Sequence, residues 1–273
     1  MTYDEIVSRL ATAGIVDAEY EAALLIEHFC GIDRSALLLR RREDLASPEL
    51  EDAVARRAER FPIQYIIGEW YFCNQVYELS PDCLIPRPDT ELLVERAAAT
   101  VAKDGRFIDL GTGSGCISIS LLASRPDLRG LAADISEGAI AQAKKNALRN
   151  GVSERLEFSQ INMLDNKLWE SGQVFDAIIS NPPYIPTRQL ADLDPELAHE
   201  PSRALDGGED GLVFYRKIVE NAHRILAPRG VILFEFALDQ SYDIEAIAVA
   251  NGYKYTLYRD IEKRPRACLL DRI

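Results

Sequence analysis

From about residue 92 onward, short apolar runs alternate with stretches of helical spacing, and no other feature restricts the fold as much. "RFIDL" (106–110), "RGLAADI" (129–135), "RLEFSQI", "VFDAIIS" (174–180) and "VILFEFA" (231–237) read as strands. Between them "CISISLLASR", "SEGAIAQAKKNALRNG" and "DGLVFYRKIVENAHRIL" read as helices. Ser136 is placed to cap the second of these, and Gly151 stands just past its end. A further helix over roughly 240–251 and two terminal strands complete the pattern. Such alternation predicts an α/β fold: a doubly wound, mostly parallel sheet with helices on both faces. Ligands of such sheets bind beyond the carboxyl ends of the strands.

The first 60 or so residues differ. Ile6, Leu10 and Ala11 fit one apolar helical face, Ala22, Leu25 and Phe29 a second, and Leu50, Val54 and Ala58 a third. Ser47 followed by Pro48 is a good helix start, because proline lacks the N–H that a first turn leaves unpaired. "FPIQYIIGEWYFCNQVYELS" then turns aromatic and β-branched, as hairpin strands do. The expected organisation is a helical domain over 1–72, a β-hairpin linker over 73–90 and an α/β domain over 91–273.

The formal net charge of −13 argues against a protein that grips long stretches of nucleic acid through phosphates. Arg40, Arg41 and Arg42 form a local basic run, read as a solvated helix end. No apolar run reaches the roughly 20 residues that span a membrane. The start "MTYDEIVSRLATAG" has no secretory character. Five scattered cysteines without a C-x-x-C pair predict reduced thiols and a cytoplasmic setting. His28, His199 and His223 show no metal spacing.

Chemistry enters at "FIDLGTGSGCIS", between the first strand and its helix. Gly111, Gly113 and Gly115 allow a tight turn and close approach of a ligand, and Asp134, ending the next strand, is placed to accept both hydroxyls of a ribose. The spacing is G-x-G-x-G rather than the G-x-G-x-x-G that seats a pyrophosphate, and no G-K-[ST] is present. That favours S-adenosylmethionine over a dinucleotide, with a dehydrogenase as the alternative. Asp109 either braces the turn or meets the ligand's ammonium group, and Met163 lies against the adenine or in the core.

"AIISNPPYIPT" (177–187) runs an apolar strand into two prolines, which cannot donate to a sheet ladder. A mere strand cap is the plain reading. The fourth strand of such a sheet, however, lies beside the first, so Asn181, Pro182, Pro183 and Tyr184 would stand next to the departing methyl group. A planar amide or amino nitrogen is a poor nucleophile because its lone pair is delocalised. The Asn181 side-chain oxygen and the Pro182 carbonyl can each accept one of its N–H groups and stabilise the charge that develops. Tyr184 can stack on the planar group while the prolines keep the loop rigid.

"DLGTGSG", "AD" and "NPPY" resemble the class I methyltransferases that act on planar nitrogens. "PIQYIIGEWYF", "LIPRPDTELLVE" and "EPSRALDGGEDGL" narrow the resemblance to the HemK/PrmC family, the glutamine-N5 methyltransferases of peptide chain release factors. The resemblance implies a seven-stranded methyltransferase domain behind a helical domain that helps to bind the factor. The implied substrate is the glutamine of the Gly-Gly-Gln tripeptide in class 1 release factors, and the implied protein is a monomer without stable nucleic-acid binding. Carried over, Asp109, Gly111, Thr112, Gly113, Ser114, Gly115, Asp134, Asn162 and Met163 would contact S-adenosylmethionine, with Asn181 between cofactor and substrate. Asn181, Pro182, Pro183 and Tyr184 would hold the glutamine amide, with Arg87 and Glu91 as further substrate-binding candidates or as structural residues. Pro86 and Pro88 force an extended segment there, and Thr90 or Asp89 can cap the following helix.

Two departures stand out. Asn162 replaces a common acidic residue but keeps an amide oxygen for the adenine amino group, and Met163 replaces a usual aromatic. Glu200 to Gly211 is expected to form a loop over the site. Three rivals remain: a ribosomal-protein glutamine methyltransferase, a DNA adenine methyltransferase, which would need a basic face, and a non-catalytic S-adenosylmethionine-binding adaptor.

Overall fold

The structure is a computed structural model that describes residues 1–37, 39–45 and 47–272; Ile273, the expected end of the α/β domain, lies outside them. The chain divides into two compact units. The first holds Met1–Glu69 together with Asp194–His199, and the second holds Trp70–Leu193 and Glu200–Ile273.

The first unit is helical: α1 (Tyr3–Thr12), α2 (Ala18–Cys30), α3 (Arg34–Leu37), α4 (Pro48–Ala58) and α5 (Ile63–Ile67). Ile6, Leu10, Ala22, Leu25, Leu50 and Val54 form its core. Ala11 is exposed instead, because one residue past Leu10 turns the side chain about 100° off the apolar face. Thr2 and Glu5 make a reciprocal capping box on α1, and the Ser47 hydroxyl accepts the Leu50 N–H to start α4. The short 194–199 segment belongs here through Glu196, whose carboxylate takes hydrogen bonds from Arg57 at 3.0 Å and Arg60 at 2.7 Å. Arg40 pairs with Glu43 and Arg41 with Asp4, so two cations of the basic run are already partnered.

The chain passes into the second unit through a hairpin, β1 (Glu69–Phe72) and β2 (Gln75–Glu78), which lies earlier than the 73–90 expected. The reason is the turn: Cys73 at φ 46° and Asn74 at φ 62° supply the two left-handed residues that a two-residue hairpin turn requires. Helix α6 (Thr90–Thr100) leads into the sheet.

The sheet contains β3 (Arg106–Leu110), β4 (Arg129–Asp134), β5 (Leu156–Gln160), β6 (Phe175–Ser180), β7 (Leu226–Glu235), β8 (Tyr253–Arg259) and β9 (Pro265–Arg272). Their order is β5-β4-β3-β6-β7-β9-β8, parallel except that β9 runs antiparallel to both neighbours. The expected doubly wound sheet is therefore present. The helices are α7 (Cys116–Ser124), α8 (Glu137–Arg149), α9 (Asn166–Trp169), α10 (Val213–Asn221) and α11 (Ser241–Ala250). Ser136 caps α8 by accepting the Ala139 N–H, as its position implied. No helix among the described residues is long and apolar enough to cross a membrane.

Candidate active site

Strand β6 lies beside β3, with Ile108 against Ile178 and Asp109 against Ile179. The first strand and the strand before the double proline thus end side by side, and the Ser180 hydroxyl donates to the Leu110 carbonyl at 2.6 Å to lock those ends together. From Leu110 the chain turns through Gly111, Gly113 and Gly115 at φ 76°, 56° and 82°, a region that L side chains avoid. A Cβ on Gly115 would also strike the Ile119 side chain at 2.8 Å, whereas one on Gly113 would meet nothing within 4 Å. Gly115 answers to helix packing, and Gly113 borders open space.

That space is a cavity of about 290 Å³. Gly111, Gly113, Asp134, Asn162, Met163 and Asn181 line it, together with Pro183. Asp134 at the end of β4 accepts the Gly113 N–H on one oxygen at 2.9 Å and the Ser136 N–H on the other at 2.8 Å. Each carboxylate oxygen keeps capacity for another donor, the arrangement a ribose diol needs. Burial pushes the Asp134 carboxyl up.

Asp109 turns out to brace the turn. It is fully buried, and the Thr112 and Ser118 hydroxyls donate to one of its oxygens, the first at 2.7 Å. The other oxygen has no partner among the described residues, and burial pushes the carboxyl up to about 6. Thr112 and Ser114 are buried and do not line the cavity. Asn162 folds into a local turn: its oxygen accepts the Leu164 N–H at 3.0 Å and its amide donates to Asp165. Met163 lines the cavity while its carbonyl accepts the Trp169 indole N–H at 3.0 Å.

Asn181 and Pro183 face this cavity; Pro182 is buried, and Tyr184 borders a neighbouring cleft. The Tyr184 carbonyl accepts from Gln240, and burial pushes its hydroxyl up to about 12. Arg87 forms an ion pair with the buried Glu200, which also accepts the Ile85 N–H at 3.0 Å. Arg87 thus joins the segment that follows the clamp. Glu91 does not: its carboxylate accepts the Cys73 N–H in the hairpin turn at 2.9 Å. Asp89 and Thr90 do not cap α6 through their side chains either. Asp89 pairs with Arg266, and Thr90 turns inward.

The segment after the clamp does fold over it. Ile185 pairs with Asp206 in a parallel bridge, and Thr187 donates to the Gly208 carbonyl. A Cβ on Gly207 would sit 2.8 Å from the Pro183 carbonyl oxygen, and one on Gly211 would collide with that of Tyr184. The same segment supplies Arg203 and Asp206 to the cavity and α10 supplies Phe214, none of which was named from the sequence as a site residue. Their remoteness from the glycine loop hid them. Glu235 was missed as well, although an acid inside the apolar run "VILFEFA" is itself a signal of a buried charge with a purpose.

The family model described as the PrmC N-terminal domain matches residues 2–68, and that of the methyltransferase small domain matches 88–227. A release factor glutamine methyltransferase of Rhodospirillum rubrum is 41% identical, the match covering 97% of this chain and 82% of that protein. One from Geobacter sulfurreducens is 38% identical over 89% of this chain and 86% of its own. Among solved structures, a methyltransferase from Pyrococcus furiosus shares the fold alone, with a TM-score of 0.56 and 16% identity over 80% of this chain and 98% of that one. By its match to these relatives over nearly its whole length, the chain belongs to the release factor glutamine methyltransferase family.

Proposed function

We propose that this protein transfers a methyl group from S-adenosylmethionine to the side-chain amide nitrogen of the glutamine in the Gly-Gly-Gln tripeptide of class 1 release factors. One observation carries the reading: Asn181, at the end of β6, and Gly111 and Gly113 of the turn at the end of β3 border the same cavity. The cavity's residues suit that cofactor. Asp134 offers two oxygens for the ribose hydroxyls, and Ile161 and Met163 form an apolar wall for the adenine. Asp82, Asp134 and Asp206 face a single cation, Arg203, a balance that welcomes a cationic ligand and opposes a pyrophosphate. This weighs against the dehydrogenase alternative. Gly111 to Gly115, Asn162 and Met163 complete the cofactor contacts of the reading.

When bound, S-adenosylmethionine supplies an electrophilic methyl on a sulfonium. The work of the chain is to hold the acceptor. Asn181 Oδ1 and the Pro182 carbonyl each accept one N–H of the glutamine amide, which localises its lone pair and stabilises the growing positive charge. Placing that nitrogen in line with the methyl supplies much of the remaining acceleration. Tyr184 and Pro183 bound the planar group, and Arg87 supports the clamp through its bond to Glu200. The helical region serves the release factor, the hairpin of β1 and β2 joins it to the methyltransferase region that follows, and the protein works as a cytoplasmic monomer.

The deciding experiment incubates a never-methylated release factor with the protein and S-adenosylmethionine and reads the product by peptide mass spectrometry. One added methyl on the Gly-Gly-Gln glutamine is the expected result. An unmodified factor, with cofactor binding intact, would overturn the substrate assignment and turn the search to ribosomal-protein glutamines.

A further inference from the structure

A clamp built on the Asn181–Tyr184 stretch works only if that stretch is held still. Proline fixes φ at two of its four residues, so the remaining freedom is settled at the two ends. The near end is fastened: Ser180 is in register with Phe234 of β7, and its hydroxyl donates to the Leu110 carbonyl. The far end is the Tyr184 carbonyl, and one side chain takes hold of it. Gln240 Nε2 donates to that carbonyl at 2.9 Å and to the Gly211 carbonyl at 3.2 Å, while Gln240 Oε1 accepts the Ala237 N–H at 3.2 Å. All three partners are main-chain groups that can only accept or only donate, so they fix the orientation of the amide. Gln240 is itself anchored just before α11: its N–H donates to the Ala237 carbonyl and its carbonyl accepts the Ile244 N–H, both at 3.0 Å. With 6% exposure it is closed to water. The loop runs so close to the clamp here that a Cβ on Gly211 would stand 2.6 Å from Gln240 Nε2 and collide with the Tyr184 carbonyl oxygen. Two carbonyls brought together out of water stay there only if a donor stands between them.

We infer that Gln240 is a positioning residue for methyl transfer: it fastens the far end of the clamp, and the loop that covers it, to the start of α11. The Asn181 side chain and the Pro182 carbonyl are thereby held where the glutamine amide must arrive. The inference rests on the proposed role of those two groups as acceptors of the glutamine N–H. Gln240 lines the neighbouring cleft and not the cofactor cavity, so its loss should disturb the acceptor side alone.

The test compares Gln240→Met and Gln240→Asn with the parent protein, measuring kcat and KM for a release factor and the Kd and stoichiometry of S-adenosylmethionine by calorimetry. Gln240→Met keeps the length of the side chain and removes all three bonds. Gln240→Asn keeps the amide but withdraws it by one methylene. The methionine variant is expected to lower kcat by about tenfold or more and the asparagine variant by at least about threefold, since a misplacement of about 1 Å can cost on the order of 10²-fold. KM and cofactor Kd should stay within about twofold. Amide exchange read by mass spectrometry supplies the second measurement. The Ile185, Thr187 and Gly207 N–H groups, bonded across clamp and loop, should exchange at least about tenfold faster, while those of Gly111 and Thr112, bonded to Ala133, should not change. Parent-like kcat in Gln240→Met would overturn the inference, as would parent-like kcat in Gln240→Asn should the methionine variant fail to bind cofactor. So would a loss of cofactor affinity in step with kcat, or equal acceleration of exchange in both places, since either marks a general packing defect. Asn181→Ala, run beside them, separates the two levels. If it stays active, the clamp reading fails; if it is dead while the Gln240 variants are fully active, only the positioning role fails.

Discussion

Asn181 borders the cavity at the end of β6 and donates to the buried Thr90 hydroxyl. Asn181→Ala should lower single-turnover methyl transfer by about 10²–10³-fold, the range seen when one preorganised hydrogen-bonding group is removed from a transition state. Its unfolding free energy should change by under about 1 kcal/mol, since Asn181 is only half-buried; radiolabel transfer and urea unfolding check the two halves. Asp134→Ala should weaken cofactor binding by at least about tenfold, because charged hydrogen bonds to the hydroxyls are lost and the Gly113 and Ser136 amides lose their acceptor. Titration calorimetry reads that directly. Glu235 makes a pH prediction. Its carboxyl is pushed up to about 7 from an ordinary 4.5, chiefly by burial, with Asp89 adding to the rise and Arg266, Thr90 and Asn181 opposing it. A raised carboxyl favours the folded state below the unfolded value and loses that contribution as pH climbs through the folded one. The parent should therefore lose about 3 kcal/mol relative to Glu235→Gln between roughly pH 4.5 and 7, seen in urea midpoints across that window. Asp109 adds loss of the same sign to the parent's own pH profile.

At the scale of elements, the glycines of "DGGEDG" show how a loop is fitted to a clamp. Gly211 has φ 78°, and a Cβ there would also collide with the Tyr184 carbonyl. Gly151, just past α8, has φ 69° and open space around it. Gly151→Ala should cost about 1 kcal/mol, the strain of the left-handed backbone alone, with kcat unchanged. Gly211→Ala should cost more, about 2–3 kcal/mol, and lower kcat as well, because the relief of the clash moves the clamp. Urea unfolding paired with turnover distinguishes the two. The hairpin carries the complementary lesson. Its strands were legible from their aromatic and β-branched texture, but its position depended on Cys73 and Asn74 both adopting left-handed backbone. A Cys-Asn turn carries no strong hairpin signature, and the boundary slipped accordingly.

For the whole molecule, cofactor binding and folding are linked. Saturation at 100 times Kd stabilises by about 2.7 kcal/mol, which should raise Tm by roughly 5 °C for a chain of this size. Differential scanning fluorimetry should show that shift in the parent and lose most of it in Asp134→Ala. The sequence by itself determined the sheet, its helices, the glycine turn with its acidic partner and the Asn-Pro-Pro-Tyr exit, because each is a local pattern of periodicity, backbone freedom or missing donors. It also determined that β6 follows β3 as a spatial neighbour, since few connections of a parallel sheet are sterically allowed. Only the tertiary structure decided what lies between those patterns. Ion pairing drew Arg87 to Glu200, a turn amide drew Glu91 away from the cavity, and the Asn181 amide found the buried Thr90 hydroxyl. Side-chain partners far apart in helical or strand periodicity leave no periodic trace, because their choice is made by burial and donor–acceptor balance after the backbone has folded.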